Sequence, residues 1–217
     1  MYVGLKMLTD VVTLTPATLV KDADRLMDEH RLWMLLVKEG GMLVGSVSRE
    51  DVRKALPSSA TTLARHELNY LLARLTVDKI MQREVACVPP ETEIEEAAEI
   101  MHRKNLHGLA VVDGTGRLLG YINRNVMLDV LVEEMGLRQG GARIVIDVED
   151  RTGVIHEVSG IIKDMGVSII ATGTFFHDGR RIVVVRVQTG DPTPIAKRLV
   201  EVGYTLVGPD HFRGSWS

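Results

Sequence analysis

The stretch Gly45-Ser46-Val47-Ser48-Arg49-Glu50-Asp51 has a counterpart in Gly120-Tyr121-Ile122-Asn123-Arg124-Asn125-Val126. Outward from this pair the match continues: Val37 falls on Val111, Leu32 on Leu106, Met27 on Met101 and Ala23 on Ala97. Thr15-Pro16-Ala17-Thr18 lies over Pro89-Pro90-Glu91-Thr92, at an offset of about 74 residues that grows by one in the turn Asp113-Gly114-Thr115-Gly116. Self-similarity at a fixed spacing marks a duplicated structural unit. Two copies of one unit therefore organise the first two thirds of the chain.

Each copy has the same local pattern. A short β-rich stretch, 11–14 or 85–88, runs into proline, which has no ladder donor and stops a strand. A helix follows, with Leu19, Ala23, Leu26 and Met27 at helical spacing in copy one and Ile94, Ala97, Ala98 and Met101 in copy two. Thr92 and Glu95 have the spacing of a capping box, whereas copy one has Lys21 where such a box wants Glu. Two apolar runs joined by Gly-rich turns (34–37 and 43–47; 109–112 and 118–122) predict hairpins, and a last helix starts at Ser48-Arg49 or Asn123-Arg124. The unit is β-α-β-β-α. Between the copies, Pro57-Ser58-Ser59 breaks the chain, and Leu63, Leu68, Leu71, Leu72 and Leu75 predict an amphipathic linker helix over about 58–75 that packs on its own protein.

The pattern changes after a helix ending near Met135-Gly136 and a flexible break at Gln139-Gly140-Gly141. A strand (143–148), a helix (154–165, closed by Gly166), two strands (167–175 and 181–187) around the hairpin turn His177-Asp178-Gly179-Arg180, a helix from Asp191-Pro192-Thr193-Pro194 to Gly203 and a strand (204–207) follow. The order βαββαβ is a ferredoxin-like layer. The fold class is thus α+β: copy one at about 1–56, the linker helix, copy two at about 76–136, and a C-terminal module at 142–210.

The start of the helix after Ser48 has chemical meaning. Free backbone N–H groups and the helix dipole attract an anion there. Ser48 can donate to a phosphate oxygen, Arg49 adds charge, and the Asp51 carboxylate can accept from two ribose hydroxyls. The competing reading is that Ser48 is a helix N-cap and Asp51 complements the dipole.

The doubled unit, with Gly-x-Val-Ser-x-x-Asp at 45–51 and the Val77-Asp78-Lys79-Ile80-Met81 lead-in to copy two, resembles the CBS domain pair. That resemblance implies two units packed into one disc with ligand clefts between their sheets. It implies that Ser48 and Asp51 bind the phosphate and ribose of an adenosyl ligand such as AMP, ADP or ATP, and that residues around Thr13 and Thr15 supply backbone contacts to adenine. The nucleotide set is then Thr13, Thr15, Val47, Ser48, Arg49 and Asp51. In copy two Asn123 replaces the hydroxyl residue and Val126 the ribose-binding acid, so a second site at Cys87, Ile122 and Asn123 is expected to be weak, altered or empty. Leu36 and Ala110 stand where the family commonly has proline.

Asp150-Arg151-Thr152-Gly153-Val154-Ile155 and Gly166-Val167-Ser168-Ile169-Ile170 resemble the ACT domain, with Thr152 in place of its proline and Ser168 in place of its Asn. The resemblance implies either a small amino-acid-like ligand at Asp150, Thr152, Gly153, Val154, Ser168 and Ile169 or simple edge-to-edge pairing into a homodimer. The order of parts is similar to the AcuB-like acetoin utilisation proteins across nearly the whole chain, which implies a regulator with a target protein of its own.

Bulk properties narrow the rest. The chain has 217 residues, 45% hydrophobic and 25% charged, ordinary values for a folded protein. A net charge of −3 and scattered basic residues argue against nucleic acid, and no apolar run approaches membrane-span length. A single cysteine, Cys87, fits a reducing cytoplasm and reads as a small core residue. There is no Gly-x-Ser-x-Gly elbow, phosphate loop or His-Glu-x-x-His helix. The seven histidines are scattered. No catalytic residue, metal site or required cofactor is assigned.

Overall fold

The computed structural model describes residues 1–56, 70 and 73–209. The Pro57 break and most of the expected linker helix lie outside the described residues. The chain divides into two compact units, Met1–Leu128 and Asp129–Ser217.

In the first unit, copy one runs β1 (Thr13–Leu14), α1 (Val20–Glu29), β2 (Met34–Glu39), β3 (Met42–Ser48) and α2 (Arg49–Ala55). Copy two runs β4 (Cys87–Val88), α3 (Ile94–Arg103), β5 (Gly108–Val112), β6 (Leu118–Asn123) and α4 (Arg124–Glu134), the boundary between the units falling within α4 after Leu128. Each copy has a three-stranded sheet, β1-β2-β3 or β4-β5-β6, with a parallel first pair and an antiparallel hairpin. A one-residue shift sits at the same place in both hairpins, between Val37 and Lys38 and between Val111 and Val112. The repeat therefore extends to the bulge. The first strands are shorter than expected, because only two residues of each meet a partner.

Each copy is completed by the other's lead-in. Met1–Leu8 precedes copy one, yet its amides and carbonyls pair with copy two: Val3 N donates to Thr92 O, Gly4 N to Pro90 O, and Ile94 N to Met1 O. The lead-in of copy two does the same on copy one, where Val77 N donates to Thr18 O, Asp78 N to Pro16 O, and Val20 N to Leu75 O. Val77 is fully buried in the core of copy one, among Leu14, Val20, Met27 and Val47. The expected Thr92–Glu95 capping box is absent, since the Thr92 amide donates to Pro89 O and the helix begins one residue later. Helix α3 starts at Ile94 after Glu93, with no side-chain cap, and its first amide is satisfied by Met1 instead.

The second unit holds β7 (Ala142–Val148), α5 (Val154–Asp164), β8 (Ile169–His177), β9 (Arg180–Val187), α6 (Thr193–Glu201) and β10 (Thr205–Leu206). The sheet order β10-β7-β9-β8 is antiparallel throughout, the ferredoxin-like arrangement. Ile144, Ile146, Val183 and Val185 pack against Val154, Val158 and Ile162 of α5 and Ile195 and Leu199 of α6. The turn Asp178-Gly179 has both φ angles positive, as a two-residue hairpin requires. The break at Gln139-Gly140-Gly141 is pinned, not loose. Arg186 donates to Met135 O and Gly140 O, and a Cβ at Gly141 would stand 2.2 Å from the Val187 carbonyl.

Candidate functional site

The two glycines that open the repeated motif allow the copies to cross. A Cβ at Gly45 would lie 2.8 Å from Met81 Sδ and 3.0 Å from Gln82 O; one at Gly120 would lie 2.6 Å from Leu8 O. In the space these glycines leave, Ser46 bridges to Gln82 and Tyr121 to Leu8. Each helix start thus faces the segment that leads into the other copy's first strand.

At the start of α2, Ser48 and Asp51 form a reciprocal capping box. The Ser48 amide and hydroxyl donate to Asp51 Oδ2 at 2.9 and 2.6 Å, and the Asp51 amide donates to Ser48 Oγ at 3.1 Å. Gln82 Nε2, from copy two, donates to Asp51 Oδ1 at 3.2 Å. Partial burial pushes the Asp51 carboxyl up. The Ser48 bonds, the Gln82 bond and the nearby Lys54 charge outweigh it and hold it below the ordinary carboxylate value. Asp51 is therefore an anion whose outer oxygen can exchange a weak amide contact for a ligand hydroxyl.

Arg49 lies beside these groups and is engaged within its own copy. Its guanidinium donates to the carbonyls of Met27 and Leu32 and pairs with Asp28, closing the end of α1. Arg124 repeats this in copy two, bonding Leu106 O and Asn105 Oδ1. The conserved spacing of the two arginines within the repeat reflects this clamp, a role that motif reading does not separate from phosphate binding. Val47 is fully buried in the copy-one core, so its backbone, not its side chain, is available to a ligand. Thr15 is engaged locally, its amide and hydroxyl meeting Thr18 Oγ1. Thr13 pairs with Leu36 on β2, and β2 separates its strand from β3, which ends in Ser48.

The other helix start opens onto a cavity. Asn123 caps α4 by accepting from Val126 N at 3.0 Å. A space of about 440 Å³ there is lined by His30–Met34 of copy one and by His107, Tyr121 and 123–125 of copy two. An adjoining space of about 230 Å³ is lined by Leu8, Asp10, Val11, Val12 and Leu36 and shares His30, Leu32, Met34, Tyr121 and Asn123 with the first. Trp33 stacks on His107 at 6.0 Å between ring centres, and the two residues occupy equivalent repeat positions. Burial pushes the Tyr121 phenol up to about 12, so it is neutral at any physiological pH.

The structure regroups the residues proposed from sequence. The segment just before Thr13 lines the cleft of Asn123, while the segment before Cys87 contributes Gln82 to Asp51. Cys87 itself is exposed, not a core residue. On the two-residue strand β4 only Val88 points inward. Ile122 is fully buried.

On the second unit, Gly153 precedes α5 with φ +91°, Val154 is buried in the core, and Ser168 and Ile169 are exposed. Thr152 is exposed, and Asp150 pairs with Arg181. The side chain that organises this turn is Arg151, which grips both oxygens of Glu157 at 2.7 and 2.6 Å, while Tyr204 OH donates to the same carboxylate at 2.5 Å. These bonds, Arg151 foremost, hold the Glu157 carboxyl down to about 2. The cavities described on this unit have other linings. Among the described residues no group of acids, histidines or cysteine is placed to hold a metal ion, and no helix is long and apolar enough to cross a membrane.

Comparison with known proteins agrees with this division. A model of the CBS domain matches residues 3–58 and 77–133, and a model of the TTHA0829-like ACT domain matches residues 140–208. An inosine-5'-monophosphate dehydrogenase of Korarchaeum cryptofilum is 31% identical over 166 residues, covering 72% of this chain and 31% of that protein. The chain spans about a third or less of the first curated relatives it matches. The crystal structure of CBSX2 from Arabidopsis thaliana in complex with AMP is 26% identical, with a TM-score of 0.51, covering 61% of this chain and 96% of that one. An acetoin utilization protein (AcuB) from Vibrio cholerae shares the fold at 21% identity, with a TM-score of 0.54, covering 64% of this chain and 96% of that one.

Proposed function

Since the chain belongs to the CBS domain family and carries a C-terminal ACT domain, we propose that it is a non-catalytic regulatory sensor whose CBS pair takes an adenosine-containing ligand between its copies. The observation that carries this reading is the cleft at Asn123, whose two adjoining spaces set polar and basic groups (His30, Arg31, His107, Arg124) beside apolar ones (Val11, Val12, Leu36), the mixture a nucleoside phosphate requires. The complex of CBSX2 with AMP supports the ligand class. At the other cleft, Ser48 and Asp51 are the phosphate and ribose groups, with Gln82 as the contact a ligand displaces. Ligand bound between the copies would bias their packing, and a downstream target protein would read that bias.

The ACT domain serves dimerisation or binds a small amino-acid-like ligand at the Gly153 turn. Strand β8 forms one edge of its sheet with Phe175 and Phe176 exposed, and an open edge of this kind pairs readily with a second copy. The place of action is the cytoplasm, and acetoin utilisation is a candidate pathway.

Isothermal titration with AMP, ADP, ATP and S-adenosylmethionine tests the reading, with dissociation constants at or below the millimolar range expected for at least one. Equal affinity in wild type and Asp51→Ala for every ligand would remove Asp51 from the site. One observation favours a second reading, an assembly module with vestigial pockets: Ser48 and Asp51 already satisfy one another. No heat of binding with any nucleotide, together with a stable protein partner, would establish that alternative.

A further inference from the structure

We propose that the cleft at Asn123 selects its ligand by phosphate charge, preferring a nucleoside triphosphate to an uncharged or cationic adenosyl compound; this rests on the adenosine reading above. The mouth of the cleft is lined by His30, Arg31, His107 and Arg124, and none of its described lining residues is acidic. Asp10 is the one acid among the two linings, and it lines only the adjoining space. Arg124 is engaged with Leu106 and Asn105. The guanidinium of Arg31 has no ion pair or hydrogen bond among the described residues, and its side chain is exposed at the cavity.

The backbone of Arg31 sharpens the point. It sits in the left-handed region at φ +54°, ending α1, with Leu32 N returning to Met27 O. Glycine or asparagine suits that conformation, and a long side chain strains it. Copy two has Asn105 at the equivalent turn, φ +49°. Turn geometry therefore does not account for arginine at position 31, whereas a cation at the mouth of an anion-binding cleft does. The sugar, in turn, meets weaker discrimination here. Val126 stands where copy one has Asp51, and Asn123 Oδ1 is taken by its own cap. Phosphate contacts are left as the main source of specificity, and charge-assisted bonds are the strong ones.

Titrating the full chain carrying Asp51→Ala isolates this cleft. ATP is expected to bind at least tenfold tighter than adenosine or S-adenosylmethionine, with ADP and AMP in between, and the affinity is expected to fall with added salt. Adding Arg31→Gly or Arg31→Asn, both compatible with the turn, should weaken ATP about tenfold and leave adenosine unchanged, with thermal stability equal or higher. Adenosine binding as tightly as ATP, or ATP affinity unmoved by both Arg31 variants, overturns charge selection while leaving the sensor reading intact. ATP binding lost with Asp51→Ala alone also overturns the proposal, since the ligand then resides in the other cleft. No binding of any of these compounds to the wild-type chain overturns both readings.

Discussion

Copy one and copy two share a backbone down to the hairpin bulge, yet they distribute bulk in opposite ways. In copy one the hairpin holds Met34 on β2 and Ser46 on β3; in copy two the equivalent positions are Gly108 on β5 and Tyr121 on β6. A Cβ at Gly108 would lie 2.2 Å from the Tyr121 hydroxyl, so the large ring exists only because its neighbour has no side chain. Met34 and Tyr121, the two bulky members, both line the Asn123 cleft. Duplication thus supplied two equal halves, and exchange of volume between strands placed both bulky side chains at the Asn123 cleft. The polar groups diverged too: where copy one has the Ser48–Asp51 box, copy two has Asn123 and Val126, an amide cap with no carboxylate.

The largest expected effect comes from disturbing that exchange of volume. Gly108→Ala should lower stability to urea by about 3 kcal/mol, and Tyr121→Ser added to it should restore only part of this, because the Ile122 carbonyl also lies 2.6 Å from the new Cβ. Full recovery would mean that the phenol alone sets the conflict.

Next in size is the crossing of the lead-ins. Val77→Ala should cost about 2 kcal/mol and, by amide hydrogen exchange, should loosen α1 of copy one rather than α3 of copy two. Val3→Ala should show the reverse. If each substitution loosens the copy it precedes in sequence, the exchange of lead-ins is wrong.

Removing a cap is smaller. Asn123→Ala should cost about 1 kcal/mol, with loss of exchange protection confined to the first turn of α4.

The smallest effect separates the copies by pH. The Asp51 carboxyl is held below its ordinary value, so the stability it contributes is fully present above the unfolded value near 3.8 and is lost as pH falls through the lowered folded value. Because the group is only partly buried and solvent screens it, the amount is under about 1 kcal/mol. Asp51→Asn should remove this part of the acid dependence, leaving a flatter stability curve below about pH 4; an unchanged curve would mean that Asp51 gains nothing from its partners.

Much of this was legible in the residues themselves. The repeat, the order of elements, the Ser48 cap and the βαββαβ module all follow from local spacing, because helix periodicity, turn glycines and caps are interactions among residues a few positions apart. Even the caps had a limit: Thr92 and Glu95 matched the pattern of a box, but the helix starts one residue later, after Glu93, and the Thr92 amide donates to Pro89 O. For Arg49, its place in the repeat marks the clamp on α1 as plainly as it would mark a binding role.

The sequence by itself therefore determined that there are two similar units and a third, different one, and which positions in each unit are equivalent. Only the tertiary structure decided which of those positions meet. The lead-ins cross, so Gln82 reaches Asp51, the segment before Thr13 reaches Asn123, and Arg31 stands at the mouth of a cleft formed with the other copy. The physical reason is that these contacts join residues from separate copies, tens of residues apart, through backbone pairing and burial that leave no periodic trace along the chain.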